Sequence, residues 1–249
     1  MSSITRGVFY VATEHTRFVS EACRSVESVR KWMPDVHVTL FTDRRDAMDL
    51  SGGLFDAVEP LAFAEGLGTS WGSGLLGKVR AFARCPYEKS LYLDTDTRVL
   101  KPDIGELFDL LDAYELAIAP CEHGESRNQI FSGRPMFNSG VIAFRDTTPV
   151  RQLLNAWLAR QEAHANAIRT NRMNTFEYVR HLRGEDRLYQ LIADQTALSR
   201  FLAPDVNAFD VNCLALSRMW NWRRDEIDDA HLGQVVIHHA SRFKVDSWR

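Results

Sequence analysis

Asp94 and Asp96 stand two positions apart in the stretch LYLDTDTRVL of residues 91–100. Side chains alternate along an extended chain, so the two carboxylates share one face while Thr95 is turned away. Like charges this close raise each other's pKa unless a cation lies between them, and a hard divalent ion with oxygen ligands meets that need. The pattern predicts a metal site at a strand end. A turn is the ordinary alternative, but no Gly or Asn supplies turn geometry here, and Val99 and Leu100 resume the apolar pattern.

Other polar groups stand at comparable places. Asn138 and Ser139, in FNSGV, begin a buried strand, and Gly140 beside them allows a ligand or a neighbouring backbone to approach closely. Gln195 falls on the helical stripe of Leu188, Leu191, Ile192, Leu198 and Leu202, where an inward polar side chain needs a partner; Asp194 precedes it and either caps a helix or faces the same cavity. The strand expected over residues 234–239 ends on two histidines, one of which could complete a metal shell. Lys78, with Arg80 and Arg84 on a helix expected over 75–85, could reach a bound diphosphate or belong to a solvated helix face.

The elements that must position these groups follow from periodicity. Residues 7–13, GVFYVAT, read as a buried strand, 16–33 as an amphipathic helix and 37–42 as a second strand ending on Asp43. Such a βαβ unit has a parallel pair of strands and collects ligands at their carboxyl ends, which places Ala12, Thr13 and Asp43 near a nucleotide. For Asp43 a local capping role is equally consistent. The turn after the first strand has no GxGxxG, no Walker loop and no Gly-rich Arg-containing loop of the nucleotidyltransferase kind. Short strands are expected over 55–61 and 114–119, a Gly-rich loop over 66–77 and a short helix over 102–111. Thr148-Pro149 opens a long helix, and a polar, basic segment over 166–187 is expected as an excursion over the active face.

At 249 residues and 45% hydrophobic content, the chain suits one large α/β domain. A net charge of -3 argues against a nucleic-acid binder. The four cysteines form no CxxC pair, which fits a reducing compartment. No stretch approaches the roughly 18 apolar residues of a membrane span, and the first residues have no basic start followed by an apolar core. A soluble, cytoplasmic protein is expected, with peripheral membrane contact left open by six Trp and many Arg.

Taken together, LYLDTDT, FNSGV, Asp194-Gln195 and the closing His238-to-Lys244 stretch resemble the GT-A type glycosyltransferases, particularly family 8, the glycogenin-like and lipopolysaccharide galactosyltransferase-like group. The haloacid-dehalogenase pattern DxDx[TV] fits less well, since Arg98 stands four residues after Asp94. The resemblance implies a single GT-A (Rossmann-like) domain over 1–249, with a central mixed, mostly parallel sheet. It implies a metal-dependent transfer of sugar from a nucleoside diphosphate, UDP in particular, to a hydroxyl of a saccharide, lipid-linked or protein acceptor, with retention. The metal, Mn2+ or Mg2+, would be held by Asp94, Asp96 and His238. The donor would meet Ala12, Thr13, Asp43, Lys78, Thr95, Asn138, Ser139 and Lys244, with Asp194 and Gln195 as catalytic residues beneath the reacting carbon. An inverting enzyme would instead use Asp194 as base. Two departures from the pattern fall at Glu122, where the family's acid is displaced by Cys121, and at Ser241, which replaces a Gly. The alternative function is a sugar-nucleotide-binding protein or nucleotidyltransferase without glycosyl transfer.

Overall fold

The computed structural model describes residues 4–44, 46–62, 70–121, 136–203 and 205–240. Its strands are β1 (Arg6–Ala12), β2 (His37–Thr42), β3 (Ala57–Pro60), β4 (Lys89–Leu93), β5 (Thr97–Val99), β6 (Leu116–Pro120), β7 (Phe137–Arg145), β8 (Cys213–Ala215) and β9 (Ile237–His239). Its α-helices are α1 (Thr16–Arg30), α2 (Ala47–Ser51), α3 (Ser70–Phe82), α4 (Glu106–Leu110), α5 (Thr148–Arg169), α6 (Gly184–Ile192) and α7 (Asp194–Phe201).

Seven strands form one sheet in the order β3-β2-β1-β4-β7-β6-β8. Of these described strands β7 runs against the rest, pairing antiparallel with both β4 and β6, while the other pairs are parallel. The architecture is the mixed, mostly parallel α/β sheet expected from the sequence. Strand alternation divides the core in two. Val8, Tyr10 and Ala12 of β1 pack with Val19, Ala22, Val26 and Val29 of α1 on one face. Phe9 turns to the other, against Val79 and Phe82 of α3, Trp157 of α5 and Leu198 of α7. There Phe82 lies 5.0 Å from Phe9, 4.8 Å from Tyr92 and 5.1 Å from Trp157, centroid to centroid, an aromatic base directly under the end of β4.

Several elements differ from the sequence reading, each for a local reason. Residues 66–77 were expected as a loop, yet α3 begins at Ser70 and carries glycines within it. A Cβ on Gly74 would lie 3.3 Å from Thr13 Oγ1 and one on Gly77 3.4 Å from Thr13 Cγ2, so these glycines let the helix lie against the end of β1. The apolar stripe over 188–202 belongs to two helices, because Ala193 takes an extended conformation (φ -60, ψ 113) and makes Asp194 the first residue of α7. The N-cap of α5 is Thr147, whose hydroxyl accepts from the Val150 N–H. The 166–187 segment begins in the last turn of α5, passes through two short 3-10 turns at Met173–Thr175 and Glu177–Val179, and ends in α6. The final strand is only Ile237–His239 and stands apart from the main sheet, pairing antiparallel with β5. Among the described residues no helix is long and apolar enough to cross a membrane.

Candidate active site

Where β4 ends the chain turns at once. The Thr97 N–H bonds the Asp94 carbonyl at 3.2 Å, closing a turn over residues 94–97 that the sequence reading had set below a continuous strand. The two carboxylates still converge, by turn geometry in place of strand alternation. Helix α1 holds the turn from below through a polar row: the buried Glu21 accepts from the Thr95 hydroxyl at 3.0 Å, and the half-buried Ser28 Oγ accepts from the Val99 N–H at 2.9 Å. The Thr97 hydroxyl donates to the Asp94 carbonyl at 2.8 Å, so it accepts from Ser25 (2.8 Å), which in turn accepts from Tyr10 (3.0 Å). The Asp94 N–H donates to the Gly140 carbonyl at 2.8 Å, which fastens the other side to β7.

The ribbon of β5 and β9 then brings the imidazole. His239 Nε2 lies 3.1 Å from Asp96 Oδ1 and 3.5 Å from Asp94 Oδ2. Asp94, Asp96 and His239 each offer a ligand atom, all within 4.8 Å of one another. His238, the ligand implied by the resemblance, points the other way: its Nε2 donates to the Arg224 carbonyl at 2.7 Å. The correction follows from register, since successive side chains of β9 alternate and it is residue 239 that stands opposite Thr97. Two carboxylates and one imidazole could hold a divalent cation. Gly140 makes room for them. A Cβ there would lie 2.3 Å from His239 Cε1 and 2.8 Å from Asp94 Oδ2, so no side chain fits without displacing the imidazole.

A second group of charges adjoins the first. The buried Lys78 ammonium donates to Asp94 Oδ1 at 3.2 Å and to Ser139 Oγ at 3.0 Å, and pairs with Asp194 Oδ2 at 3.0 Å. It also lies 4.7 Å from the centroid of the Tyr92 ring. Burial pushes the Lys78 pKa down, but Asp194 and then Asp94 more than reverse this, and the net shift is upward. Burial pushes Asp94 up, yet Lys78 and His239 outweigh it and hold the carboxyl below its ordinary range. Burial and the neighbouring Asp94 keep Tyr92 a neutral phenol that donates to Asp94 Oδ1 at 2.6 Å. Asp194 is held by the Ser139 hydroxyl at 2.8 Å, and its carbonyl accepts from Trp157 Nε1 at 2.9 Å. Asn138 Nδ2 reaches Gln195 Oε1 at 3.4 Å.

Asp94, Asp96, Lys78, Asn138, Ser139, Asp194 and Gln195 are therefore one contiguous set. The other expected donor contacts have different company. Ala12 is buried in the core, Thr13 packs on α3, and both Asp43 oxygens accept from the Glu14 N–H (2.9 and 3.2 Å), holding a residue with φ 71. Thr95 turns to Glu21. Lys244, Ser241 and Glu122 lie outside the described residues. Sequence reasoning missed His239, Asn221, Arg223 and Glu21. For His239 a signal existed in the pairing of β5 with β9, which adjacent histidines cannot reveal alone. For Asn221, buried in a loop between Trp220 and Trp222, there was none.

No family model matches the sequence, and no curated protein matches it. Solved structures do. A galactosyltransferase, LgtC, in complex with donor and acceptor sugar analogues, is 15% identical with a TM-score of 0.54; the match covers 94% of this chain and 87% of that one. The glycosyltransferase GlyE of Streptococcus pneumoniae TIGR4 is 16% identical with a TM-score of 0.51, over 98% of this chain and 55% of that one. The bifunctional glycosyltransferase WbbM in its apo form is 12% identical with a TM-score of 0.50, over 96% and 46%. This chain has the GT-A fold of these proteins.

Proposed function

We propose that the protein is a glycosyltransferase that moves a sugar from a uridine diphosphate donor to a hydroxyl group, with retention, using Mn2+ or Mg2+ held by Asp94, Asp96 and His239. The observation that carries this reading is the convergence of three ligand atoms beside a buried Lys78 that is itself clamped between Asp94 and Asp194. Likeness in fold to glycosyltransferases, one of them with donor and acceptor sugar analogues, supports a sugar nucleotide and a saccharide acceptor; lipid-linked and protein acceptors remain within the same chemistry.

Cleaving a glycosyl-phosphate bond develops negative charge on the departing diphosphate and positive charge on the sugar carbon. The bound ion would supply Lewis-acid neutralisation of the first. Lys78 adds a fixed positive charge next to it, in a setting where burial strengthens electrostatics and no reorganisation is needed at the moment of reaction. Asn138 and Ser139 present small polar groups to the sugar, and Gln195 an amide dipole. Asp194 Oδ2 already accepts from Ser139 and pairs with Lys78. Such a carboxylate serves as a fixed negative charge under a cationic carbon, which favours retention, with the acceptor proton passing to a phosphate oxygen.

Asp96→Ala removes one ligand and leaves Asp94, Lys78 and Asp194 in place. Mn2+-stimulated hydrolysis of UDP-sugars, and transfer to sugar acceptors, should fall by at least about 100-fold. Unchanged turnover would sink the metal-site reading, and calorimetric donor binding with no hydrolysis in excess Mn2+ would identify a sugar-nucleotide-binding protein instead.

A further inference from the structure

We infer that Asn221 is a positioning residue that fixes which ring nitrogen of His239 is offered to the cation. The inference rests on the metal-site reading above, but its logic starts from a donor whose direction is not in doubt. The backbone N–H of Gly140 donates to Asn138 Oδ1 at 2.9 Å, so the oxygen of that amide must face Gly140. Asn221 approaches the same oxygen at 2.8 Å and can do so only with its NH2 group. Its own oxygen is thereby turned to His239 Nδ1, at 2.9 Å. A carbonyl oxygen only accepts, so Nδ1 carries a proton, and in the neutral imidazole that a cation requires it is Nε2 that keeps the lone pair. That lone pair is the one directed at Asp96 Oδ1 and Asp94 Oδ2.

The relay runs from Gly140 through Asn138 and Asn221 to His239, and all four lie in the buried interior. It gives FNSG a function besides sugar contact: the strand that makes room for the imidazole also dictates its tautomer. Arg223 does not compete for this role. Its Nη1 lies 3.3 Å from Nδ1 and 3.2 Å from Nε2, so it does not discriminate between the two nitrogens. An outer partner of this kind orients a ligand and raises its basicity, and its removal ordinarily weakens metal binding about 10- to 100-fold.

Two variants isolate the effect. Asn221→Leu removes both the acceptor for Nδ1–H and the donor to Asn138. Asn221→Asp keeps an acceptor for Nδ1–H and loses only the donor. Mn2+ titration followed by electron paramagnetic resonance should show affinity about 10- to 100-fold weaker in Asn221→Leu, and equal or tighter in Asn221→Asp. Nitrogen NMR of the histidines in the metal-free protein, at a pH where His239 is neutral, should show Nδ1–H in the wild type and in Asn221→Asp, and a mixture richer in Nε2–H in Asn221→Leu. Nε2–H in the wild type overturns the inference whatever the metal does. So does an Asn221→Leu protein with wild-type tautomer and wild-type affinity, while the metal site itself would stand. If the wild type binds no Mn2+ but shows Nδ1–H that Asn221→Leu loses, the positioning is upheld and the transferase reading is what fails.

Discussion

Two buried histidines of this protein are held alike at Nδ1 and differ in what surrounds Nε2. His164, on α5, has its Nδ1 2.8 Å from Gln161 Oε1, and Gln161 is oriented by its own donation to the Ile192 carbonyl at 3.3 Å. His239 has Nδ1 2.9 Å from Asn221 Oδ1, and Asn221 is oriented by Asn138. In each case a primary amide fixes the proton on Nδ1. At His164 the remaining nitrogen accepts from the Tyr178 hydroxyl, and Phe176 packs its ring 4.6 Å away, so the imidazole is finished as an internal fitting. At His239 the remaining nitrogen faces two carboxylates, with Arg223 Nη1 3.2 Å away. A ring nitrogen set between anions and a cation is placed to exchange charge, and that contrast, more than burial or sequence position, separates a structural histidine from a functional one.

The comparison breaks most sharply at Gly140. In Gly140→Ala the new methyl must displace His239, because it would overlap Cε1 and crowd Asp94. Mn2+ affinity should fall by more than about 100-fold, while overpacking costs about 1–3 kcal/mol in urea unfolding. Retention of wild-type affinity would mean that the imidazole is not where the cation binds.

The next largest effect belongs to His164 and is read against pH. Burial pushes its pKa down to about 3, with the nearby Arg160 adding to the shift. The folded value lies below the unfolded one of about 6.5, so the unfolded chain takes up the proton first. The stabilising contribution is complete above about pH 6.5 and is lost progressively as pH falls toward 3, at up to about 1.4 kcal/mol per pH unit. Urea midpoints between pH 7 and pH 5 should follow that slope in the wild type and flatten in His164→Phe. A slope that survives the substitution would place the titration elsewhere.

The smallest effect sharpens the contrast. Tyr178→Phe deletes the donor to His164 Nε2 and leaves that nitrogen unsatisfied, at about 1–3 kcal/mol. Mn2+ affinity should stay within twofold of wild type, since the contacts of the two histidines among the described residues fall on different side chains. A loss of metal binding in Tyr178→Phe would show that the halves of the molecule are coupled.

Much of this was legible in the sequence. The aspartate pair, FNSGV and the polar interruption at Asp194-Gln195 each announced themselves as polar groups at the ends of apolar runs, and they do meet. What was not legible depended on partners distant in the chain. Whether His238 or His239 faces the carboxylates is decided by which residue stands opposite Thr97. The glycines at 74 and 77 read as loop residues because the reason for them, Thr13, lies some sixty positions earlier. For Asp43 the sequence left a ligand contact and a local backbone role equally open, and its carboxylate does bond the N–H of the left-handed Glu14.

The ribbon that carries His239 has a consequence of its own. Among the described residues three residue pairs join β5 to β9, against six between β1 and β2. Local opening there costs far less than global unfolding, and it would carry the imidazole away while the seven-stranded sheet stays intact. An ion that binds only the closed ribbon must stabilise it by mass action. The cation would then act as a latch, slowing amide hydrogen exchange at residues 97–99 and 237–239 selectively and leaving the interior of the sheet at its native rate.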